Sequence, residues 1–290
     1  MTPVPGNPLK GVLLVSAAVF LFALGDTVTK HLTMRLPVSE VVAVRYVINA
    51  LLLALFLWPR HRAALWRTDR TALVLLRGGC LAGASLTMGL ALRVMPVGET
   101  VAIVYIAPFL VMLLAGPILG EKVSLAGWIG VTVGFAGVLL IVRPGAGLDP
   151  WGVTLAVVNA CFGTAYHLLT RVLARTETTI AMLFHTAMVG SVVFCLMSWV
   201  GQEATAPSGA DWPWMAALGV LSTAGHFLFT AAYREAPASL LAPVNYMHLV
   251  WAGLLGVVAF GHVPDAVSIA GMAAVALAGM VVAVRAQRGA

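Results

Sequence analysis

The stretch ALRVMPVGETVAIVYIAPF, residues 91–109, has a counterpart 141 positions later, AYREAPASLLAPVNYMHLV, residues 232–250. Three distinctive residues keep the same register in both copies: Arg93 with Arg234, Pro96 with Pro237 and Tyr105 with Tyr246. The second copy has Leu240 where the first has Glu99. Chance likeness between apolar segments is a poor explanation for shared arginine, proline and tyrosine at one offset. The pattern therefore indicates an internal repeat.

The composition is that of a membrane protein. Of the 290 residues, 61% are hydrophobic and 10% are charged, whereas a soluble domain has roughly 25% charged residues. The net charge of +6 comes from Lys and Arg scattered at the ends of apolar runs, which is typical of a membrane protein and not of a nucleic-acid-binding patch. The three cysteines lie singly in apolar segments, without the spacing of a disulfide framework or a zinc site.

Ten segments are apolar over about 20 residues, the length of helix that crosses a bilayer core. We predict spans at 11–30, 38–58, 71–92, 97–117, 124–143, 151–171, 178–200, 213–234, 238–260 and 266–284. The alternating pattern of barrel strands is absent, so helices are the remaining way to satisfy the backbone in lipid. The sequence predicts an all-α membrane protein with ten transmembrane helices, and the first apolar run is kept as a span because it lacks a signal-peptide cleavage pattern.

The repeat divides the ten spans into two halves of five, residues 1–145 and 146–290. Because five is odd, the second half must cross the membrane in the opposite sense. Eleven Lys and Arg residues lie on one side of the spans and four on the other, which predicts an inner-membrane protein with both termini in the cytoplasm. Inverted repeats around a midplane site are typical of alternating-access transporters.

Several stretches carry a resemblance to a known family. Residues 91–122 and 119–145 resemble the EamA type of the drug/metabolite transporter superfamily in ALRVMPVGETVAIVYIAPFLVMLLAGPILGEK and LGEKVSLAGWIGVTVGFAGVLLIVRPG. LFALGDTVTKHL and VVAVRYV, at 21–32 and 41–47, are similar to a branch of S-adenosylmethionine uptake transporters. The resemblance covers nearly the whole chain and implies two inverted five-helix repeats around a central cavity. It also implies a role in fold or gating for Arg45, which stands where the family commonly has arginine.

Polar residues inside the spans are the candidates for a substrate pathway, because ionisable groups in a bilayer are costly and usually face the bundle interior. At about 1.5 Å per helical residue, three of them reach similar depths from the outer face and their repeat partners reach similar depths from the inner face. The predicted layers are Asp26, Arg45 and Tyr105 outside and Tyr166, His185 and Tyr246 inside, with Asn159, His226, Asn245 and His248 between them. The alternative for Asp26 and Arg45 is a buried ion pair that fixes the first two helices.

Other polar and small residues have more ordinary interpretations. Arg77 and Lys30 are predicted to extend to lipid phosphates, with pairing to Asp26 as the alternative for Lys30. The histidines in the spans show no metal-ligand spacing, so hydrogen bonds between helices are favoured. No metal or cofactor is expected.

Two pairs of glycines suggest where helices approach each other closely. They are Gly79–Gly83 and Gly130–Gly134, each with the spacing that allows close helix packing. We expect this packing to occur within one chain, which predicts a monomer or a weak homodimer.

These features favour a secondary transporter for a small polar or amphipathic metabolite, either amino-acid-like or S-adenosylmethionine-like. The alternative is an exporter of drugs or other metabolites with the same fold. An intramembrane enzyme is disfavoured because HExxH, GxSxG and paired acids within a span are absent from the sequence. A receptor or scaffold would need longer loops. The expected partners are a small-molecule substrate and the lipid bilayer, and the sequence leaves the direction of transport and the coupling ion open.

Overall fold

The computed structural model describes residues 7–119, 125–143, 147–173, 176–201, 207–235, 241 and 244–288. Within these ranges the chain forms helices and no strands. The α-helices are α1 (Pro8–Thr33), α2 (Val38–His61), α3 (Thr71–Val94), α4 (Val97–Val104), α5 (Ala107–Leu119), α6 (Leu125–Val142), α7 (Pro150–Leu173), α8 (Thr179–Gly201), α9 (Trp212–Glu235), α10 (Met247–Phe260) and α11 (Ala266–Arg288). A short 3₁₀ helix, Arg62–Leu65, follows α2.

The helices are long and apolar enough for a multi-pass membrane protein. Six of those described can span a bilayer by length and composition, namely α1, α2, α3, α7, α8 and α9. Four shorter apolar helical segments accompany them, Val97–Val111, Trp128–Val142, Met247–Phe260 and Ala266–Val281. The prediction of an all-α membrane protein is confirmed.

Ion pairs between helix ends define the two ends of the bundle. Lys10, in the first turn of α1, pairs with Glu235 at the end of α9. Arg35, just after α1, lies 2.8 Å from Asp211, just before α9. We call these the Lys10 end and the Arg35 end. Helices α1 and α9 therefore lie side by side and run in opposite directions.

Contacts between the two parts of the chain come in related pairs. Helix α1 packs against α9, and α3 packs against α7. Helix α2 contacts both α8 and α9, while α3 also contacts α8. Helix α1 contacts α10, and α7 contacts α4 and α5. The last helices of the two parts, α6 and α11, pack against each other.

The predicted fourth span, 97–117, is two helices and not one. Helix α4 ends at Val104, and α5 begins at Ala107. Pro108 lacks the N–H that a continuous helix would donate to the carbonyl of Val104. The Ile106 N–H bonds instead to the carbonyl of Ile103 at 3.0 Å, which is the tighter spacing of a 3₁₀ turn.

The predicted ninth span, 238–260, is also interrupted. Residues 241, 244 and 245 are helical, Tyr246 forms a turn, and α10 begins at Met247. The Leu249 N–H bonds to the carbonyl of Tyr246, three residues back, at 3.1 Å. This leaves the carbonyl of Asn245 available for another donor. Pro237 and Leu240, the predicted counterparts of Pro96 and Glu99, lie outside the described residues.

Helices α6 and α11 approach each other closely at Gly137 and Gly271, which are not in the glycine pairs predicted from the sequence. A Cβ added to Gly137 would lie 2.8 Å from the carbonyl oxygen of Gly271, and one added to Gly271 would lie 2.6 Å from that of Gly137. Both positions therefore require glycine, because any side chain would push the two backbones apart.

Three glycines of the predicted pairs, Gly79, Gly83 and Gly134, differ in what surrounds them. A Cβ on Gly83 would lie 2.8 Å from the ring of Phe162, and one on Gly134 would lie 2.3 Å from the ring of Phe109. A Cβ on Gly79 would meet nothing within 4 Å. Gly83 and Gly134 thus accommodate aromatic rings and not helix backbones, and Gly79 makes no close packing contact.

Candidate functional site

The two helix interruptions meet through a pair of tyrosines. The rings of Tyr105 and Tyr246 are 5.2 Å apart between centroids. The Tyr105 hydroxyl donates a hydrogen bond to the carbonyl oxygen of Asn245 at 2.8 Å. This carbonyl is the one left available by the turn at Tyr246. The donor therefore lies at the interruption after α4, and the acceptor lies at the interruption before α10.

Several buried polar atoms without hydrogen-bond partners surround this junction. His248 Nε2 lies 3.1 Å from Asp26 Oδ2, and their side chains are 14% and 20% exposed. The two atoms are within ion-pair distance, but neither has a hydrogen-bond partner. Asn245 Oδ1 and Trp251 Nε1 are likewise buried and unpaired. Native proteins rarely leave buried polar atoms unsatisfied, so this concentration marks a candidate ligand site.

Aromatic rings line the same region. The ring of Tyr105 lies 5.8 Å from that of His248. Phe22, one turn of α1 before Asp26, contacts His226 at 5.0 Å and His248 at 6.4 Å between ring centroids. Phe20 makes an edge-on contact with Trp251 at 5.0 Å. We call Asp26, Tyr105, Asn245, Tyr246 and His248 the junction cluster. His226 is not a member, but it contacts Phe22, which also contacts His248.

Arg45 does not join the junction cluster. Its guanidinium lies 5.1 Å from the ring centroid of the neighbouring Tyr46, and Asp26 is paired with His248 instead. The predicted alternative of an Asp26–Arg45 ion pair is therefore wrong. Tyr105 was predicted in the outer layer and Tyr246 in the inner layer. The two residues contact each other, so the predicted separation into layers is wrong at this point.

Tyr166 belongs to a second cluster centred on Arg77. The Arg77 side chain donates hydrogen bonds to the Tyr166 hydroxyl at 2.6 Å, Thr170 Oγ1 at 2.6 Å and Thr186 Oγ1 at 2.7 Å, and to the carbonyl of Met182 at 3.2 Å. Arg77 is 3% exposed. The prediction that it extends to lipid phosphates is wrong, because these acceptors on α7 and α8 hold it inside the bundle.

The remaining predicted residues lie apart from both clusters. His185 Nδ1 is within 2.9 Å of the Ala181 carbonyl, and the His185 ring contacts Trp66 edge-on. Asn159 donates to the carbonyl of Ala84 and so connects α7 with α3. Both side chains have partners that explain their burial. Among the described residues, no group of three His, Cys, Asp or Glu is placed to hold a metal ion.

A separate cavity of about 190 Å³ lies near the Arg35 end of the bundle. Lys30, Glu99 and His262 line it, together with the first turn of α4 and part of α10. Lys30 Nζ donates to the carbonyls of Leu92 and Met95 at 2.8 and 2.7 Å. The prediction that Lys30 reaches lipid phosphates or pairs with Asp26 is wrong, since these carbonyls hold it at the end of α3.

Glu99 is the acidic residue among those that line this cavity. Its side chain is 3% exposed, and Oε1 lies 2.9 Å from His262 Nε2. Its second oxygen, Oε2, is buried without a partner. His262 lies in the loop after α10. It was not predicted, because the candidate residues were polar residues within the spans. Glu99 could be identified from the sequence, because Pro96 marks the start of α4 and therefore places Glu99 in its first turn.

The sequence matches the model of the EamA-like transporter family twice, over residues 9–143 and 150–285. The chain belongs to the EamA-like transporter family. The first residues of the two matches, 9 and 150, are 141 positions apart, which is the offset of the sequence repeat. Membership in this family indicates a membrane transporter with a small-molecule substrate.

Relatives in the family move different solutes. The chain is 26% identical over 265 residues to the pseudopaline exporter CntI of Pseudomonas aeruginosa, covering 90% of this chain and 92% of the exporter. It is 27% identical to a riboflavin transporter of Rhizobium johnstonii, with 90% and 86% covered. It is 26% identical to an S-adenosylmethionine uptake transporter of Rickettsia felis, with 83% and 81% covered.

A solved crystal structure has the same fold. It superposes with a TM-score of 0.67 at 23% sequence identity and covers 97% of this chain and 96% of its own. The resemblance of the sequence to the EamA family is confirmed by the family match.

Proposed function

We propose that this EamA transporter is a secondary transporter that binds its solute at the junction cluster. The observation that carries the proposal is a group of buried polar atoms without hydrogen-bond partners at the junction of two interrupted helices: Asp26 Oδ2, Asn245 Oδ1 and His248 Nε2. Transporter sites are commonly formed by interrupted helices near the bilayer midplane. A solute that hydrogen-bonds these atoms removes the cost of leaving them unsatisfied.

The chemistry of the junction cluster favours a solute with a positive charge and polar groups. Asp26 supplies a carboxylate, and Asn245 supplies an amide oxygen. Aromatic faces of Tyr105, Tyr246 and Phe22 lie around them, and such faces attract cations. An amino-acid-like compound or an S-adenosylmethionine-like sulfonium fits this set of groups. The same groups serve export as well as uptake, so an exporter of related compounds is the alternative.

The proposed architecture is ten spans in two inverted halves, residues 1–145 and 146–290. The contacts between helices support it, because exchanging α1 for α7 and α3 for α9 turns the α1–α9 contact into the α7–α3 contact. Exchanging α2 for α8 and α6 for α11 gives the α2–α8 and α6–α11 contacts again. Alternating access then arises when the two halves rock about the junction between Tyr105 and Tyr246.

We further propose that the protein lies in the inner membrane with both termini in the cytoplasm. The excess of Lys and Arg at the Lys10 end supports this orientation. A single cysteine introduced at exposed Leu9, in a variant without the three native cysteines, tests it in intact cells. Protection from an impermeant thiol reagent until the cells are lysed is the expected result, and labelling of intact cells would contradict the orientation.

Transport in proteoliposomes tests the proposed function. Purified protein is reconstituted and supplied with labelled S-adenosylmethionine, a panel of labelled amino acids and riboflavin, with and without a pH gradient. We expect movement of at least one ammonium- or sulfonium-bearing solute above empty liposomes. Loss of that movement in Asp26→Asn, with retention in the control Glu40→Gln, assigns transport to the junction cluster. Riboflavin movement alone would contradict the proposed solute class.

A further inference from the structure

The cavity lined by Lys30, Glu99 and His262 has the features of a second binding site, separate from the junction cluster. It lies between the end of α1, the turn from α3 to α4, and α10. Lys30 is one helical turn beyond Asp26, so the cavity is nearer to the Arg35 end than the junction cluster. Its volume of about 190 Å³ suits a small molecule.

The acidic side of this cavity lacks a hydrogen-bond donor. Glu99 Oε1 is occupied by His262 at 2.9 Å, whereas Oε2 is buried and has no partner. With its side chain 3% exposed, the carboxylate has little access to bulk water to compensate. A donor brought by a ligand would satisfy Oε2, and an ammonium group does so with a charge-assisted bond.

The basic side of the cavity lies at the first turn of α4. Lys30 uses two of the three N–H donors of its ammonium on the carbonyls of Leu92 and Met95. Val97 and Gly98 line the cavity at the start of α4, where the first N–H groups of a helix have no partner within the helix. This end of a helix favours a negatively charged group, and Lys30 reinforces it.

The remaining wall is apolar and open. Val94, Phe260 and Pro264 contribute apolar surface, and Gly253 faces the cavity from α10. A Cβ added to Gly253 would meet nothing within 4 Å. A small apolar side chain of a ligand therefore has room beside the charged groups.

We propose that this cavity binds a small zwitterion of the α-amino acid class. The ammonium of the ligand bonds to Glu99 Oε2, and its carboxylate lies between Lys30 and the first turn of α4. A ligand with only one of the two charges leaves one side of the cavity unsatisfied. Binding measurements test this site, and transport assays do not. If no ligand binds in the cavity, the proposed function of the junction cluster is unaffected.

Calorimetric titration of the full chain in detergent tests the proposal. The probes are glycine, alanine and serine, with propionate and isopropylamine as analogues that each lack one charge. We expect at least one amino acid to bind at least about tenfold more tightly than either analogue. Absence of amino acid binding, or an analogue that binds as tightly, would overturn the proposal.

Two variants and a matched control locate the binding. Glu99→Gln keeps the size of the side chain and removes its charge, while Gly253→Leu fills the cavity without changing any charge. Gly79→Leu is the control, because a Cβ added to Gly79 would also meet nothing within 4 Å and Gly79 does not line the cavity. In an Asp26→Asn background, which removes any amino acid binding at the junction cluster, we expect both variants to abolish amino acid binding and the control to retain it. Unchanged binding in Gly253→Leu would refute the site even if Glu99→Gln failed to fold.

Discussion

The hydroxyl of Tyr105 donates a hydrogen bond to the backbone carbonyl of Asn245 over 2.8 Å. The donor follows α4 and the acceptor precedes α10 by two residues, so the bond joins two interrupted helices from opposite halves of the chain. Pro108 interrupts the first helix, and the three-residue spacing of the Leu249 hydrogen bond leaves the Asn245 carbonyl available in the second. The interruption of the second helix therefore makes the acceptor of this bond available.

Tyr105→Phe tests the contribution of this bond to transport. The variant keeps the ring contact with Tyr246 and leaves the Asn245 carbonyl without its donor, which costs about 1–3 kcal/mol in a buried setting. We expect a lower melting temperature and a several-fold lower transport rate per folded protein. The measurements are thermal unfolding in detergent and uptake into proteoliposomes.

Tyr46→Phe is the matched control for that variant. It also removes a buried tyrosine hydroxyl, which lies 2.8 Å from Ser85 Oγ outside the junction cluster. We expect it to lower the melting temperature and to leave transport per folded protein unchanged. Equal losses of transport in both variants would mean that the Tyr105 hydroxyl serves stability alone.

Gly279→Ala tests whether the position of the Tyr246 ring matters. A Cβ on Gly279 would overlap the Tyr246 ring, with its nearest ring atom 1.8 Å away. Glycine to alanine inside a helix normally stabilises by roughly 0.5–1 kcal/mol, but here the Tyr246 ring must leave its position to avoid the new methyl group. We expect reduced transport, measured in proteoliposomes.

Gly79→Ala is the control for Gly279→Ala, because its Cβ meets nothing within 4 Å. It should transport normally and melt at the same or a slightly higher temperature. Normal transport by Gly279→Ala would indicate that displacement of Tyr246 is tolerated and would weaken its assignment to the junction cluster.

Arg77→Lys tests the structural role of the second cluster. Lysine keeps the positive charge but cannot reach the Tyr166 hydroxyl, Thr170 and Thr186 together, because it lacks the planar fork of the guanidinium. Loss of hydrogen bonds to a charged group costs about 1.5–3 kcal/mol each. We expect a large fall in melting temperature, measured by intrinsic fluorescence. Arg67→Lys, at an exposed position, should melt like the unmodified protein, and an equal melting temperature for Arg77→Lys would refute the role.

Asp265 predicts a pH dependence of stability at the Arg35 end. The backbone N–H of Ser268 and the guanidinium of Arg143 hold the pKa of the Asp265 carboxyl below its ordinary value of 3.8. The ionised form is therefore favoured in the folded protein, and its stabilisation is present above pH 3.8 and lost as the pH falls below that value. Asp265→Asn should melt below the unmodified protein at neutral pH, and the difference should shrink in acid. A difference that stays constant with pH would contradict this assignment.

The sequence predicted the class of fold because hydropathy and repeats are properties of residue order alone. Apolar runs required helices in lipid, and the offset of 141 residues reappears between the two family matches. It also identified Asp26, Tyr105, Asn245, Tyr246 and His248 as polar groups in apolar surroundings, and these five lie together in the structure.

The partners of those residues could not be predicted in the same way. Depth along a helix does not determine which neighbour a side chain meets, so Asp26 was matched with Arg45 although its neighbour is His248. Burial of Arg77 depends on four acceptors supplied by two other helices. The interruption at Pro108 is predictable in principle from the missing N–H, whereas no proline stands at the corresponding position after Tyr246.

Equilibrium binding of the transported solute to Asp26→Asn tests the central claim most directly. The solute found in the transport assay is titrated into the unmodified protein, Asp26→Asn and Glu40→Gln in the same detergent, with folding checked by thermal unfolding. Loss of a charge-assisted bond of about 1.5–3 kcal/mol predicts about 10- to 100-fold weaker binding by Asp26→Asn, with Glu40→Gln unchanged. Folded Asp26→Asn that binds the solute as tightly as the unmodified protein would contradict the claim that the junction cluster is the substrate site.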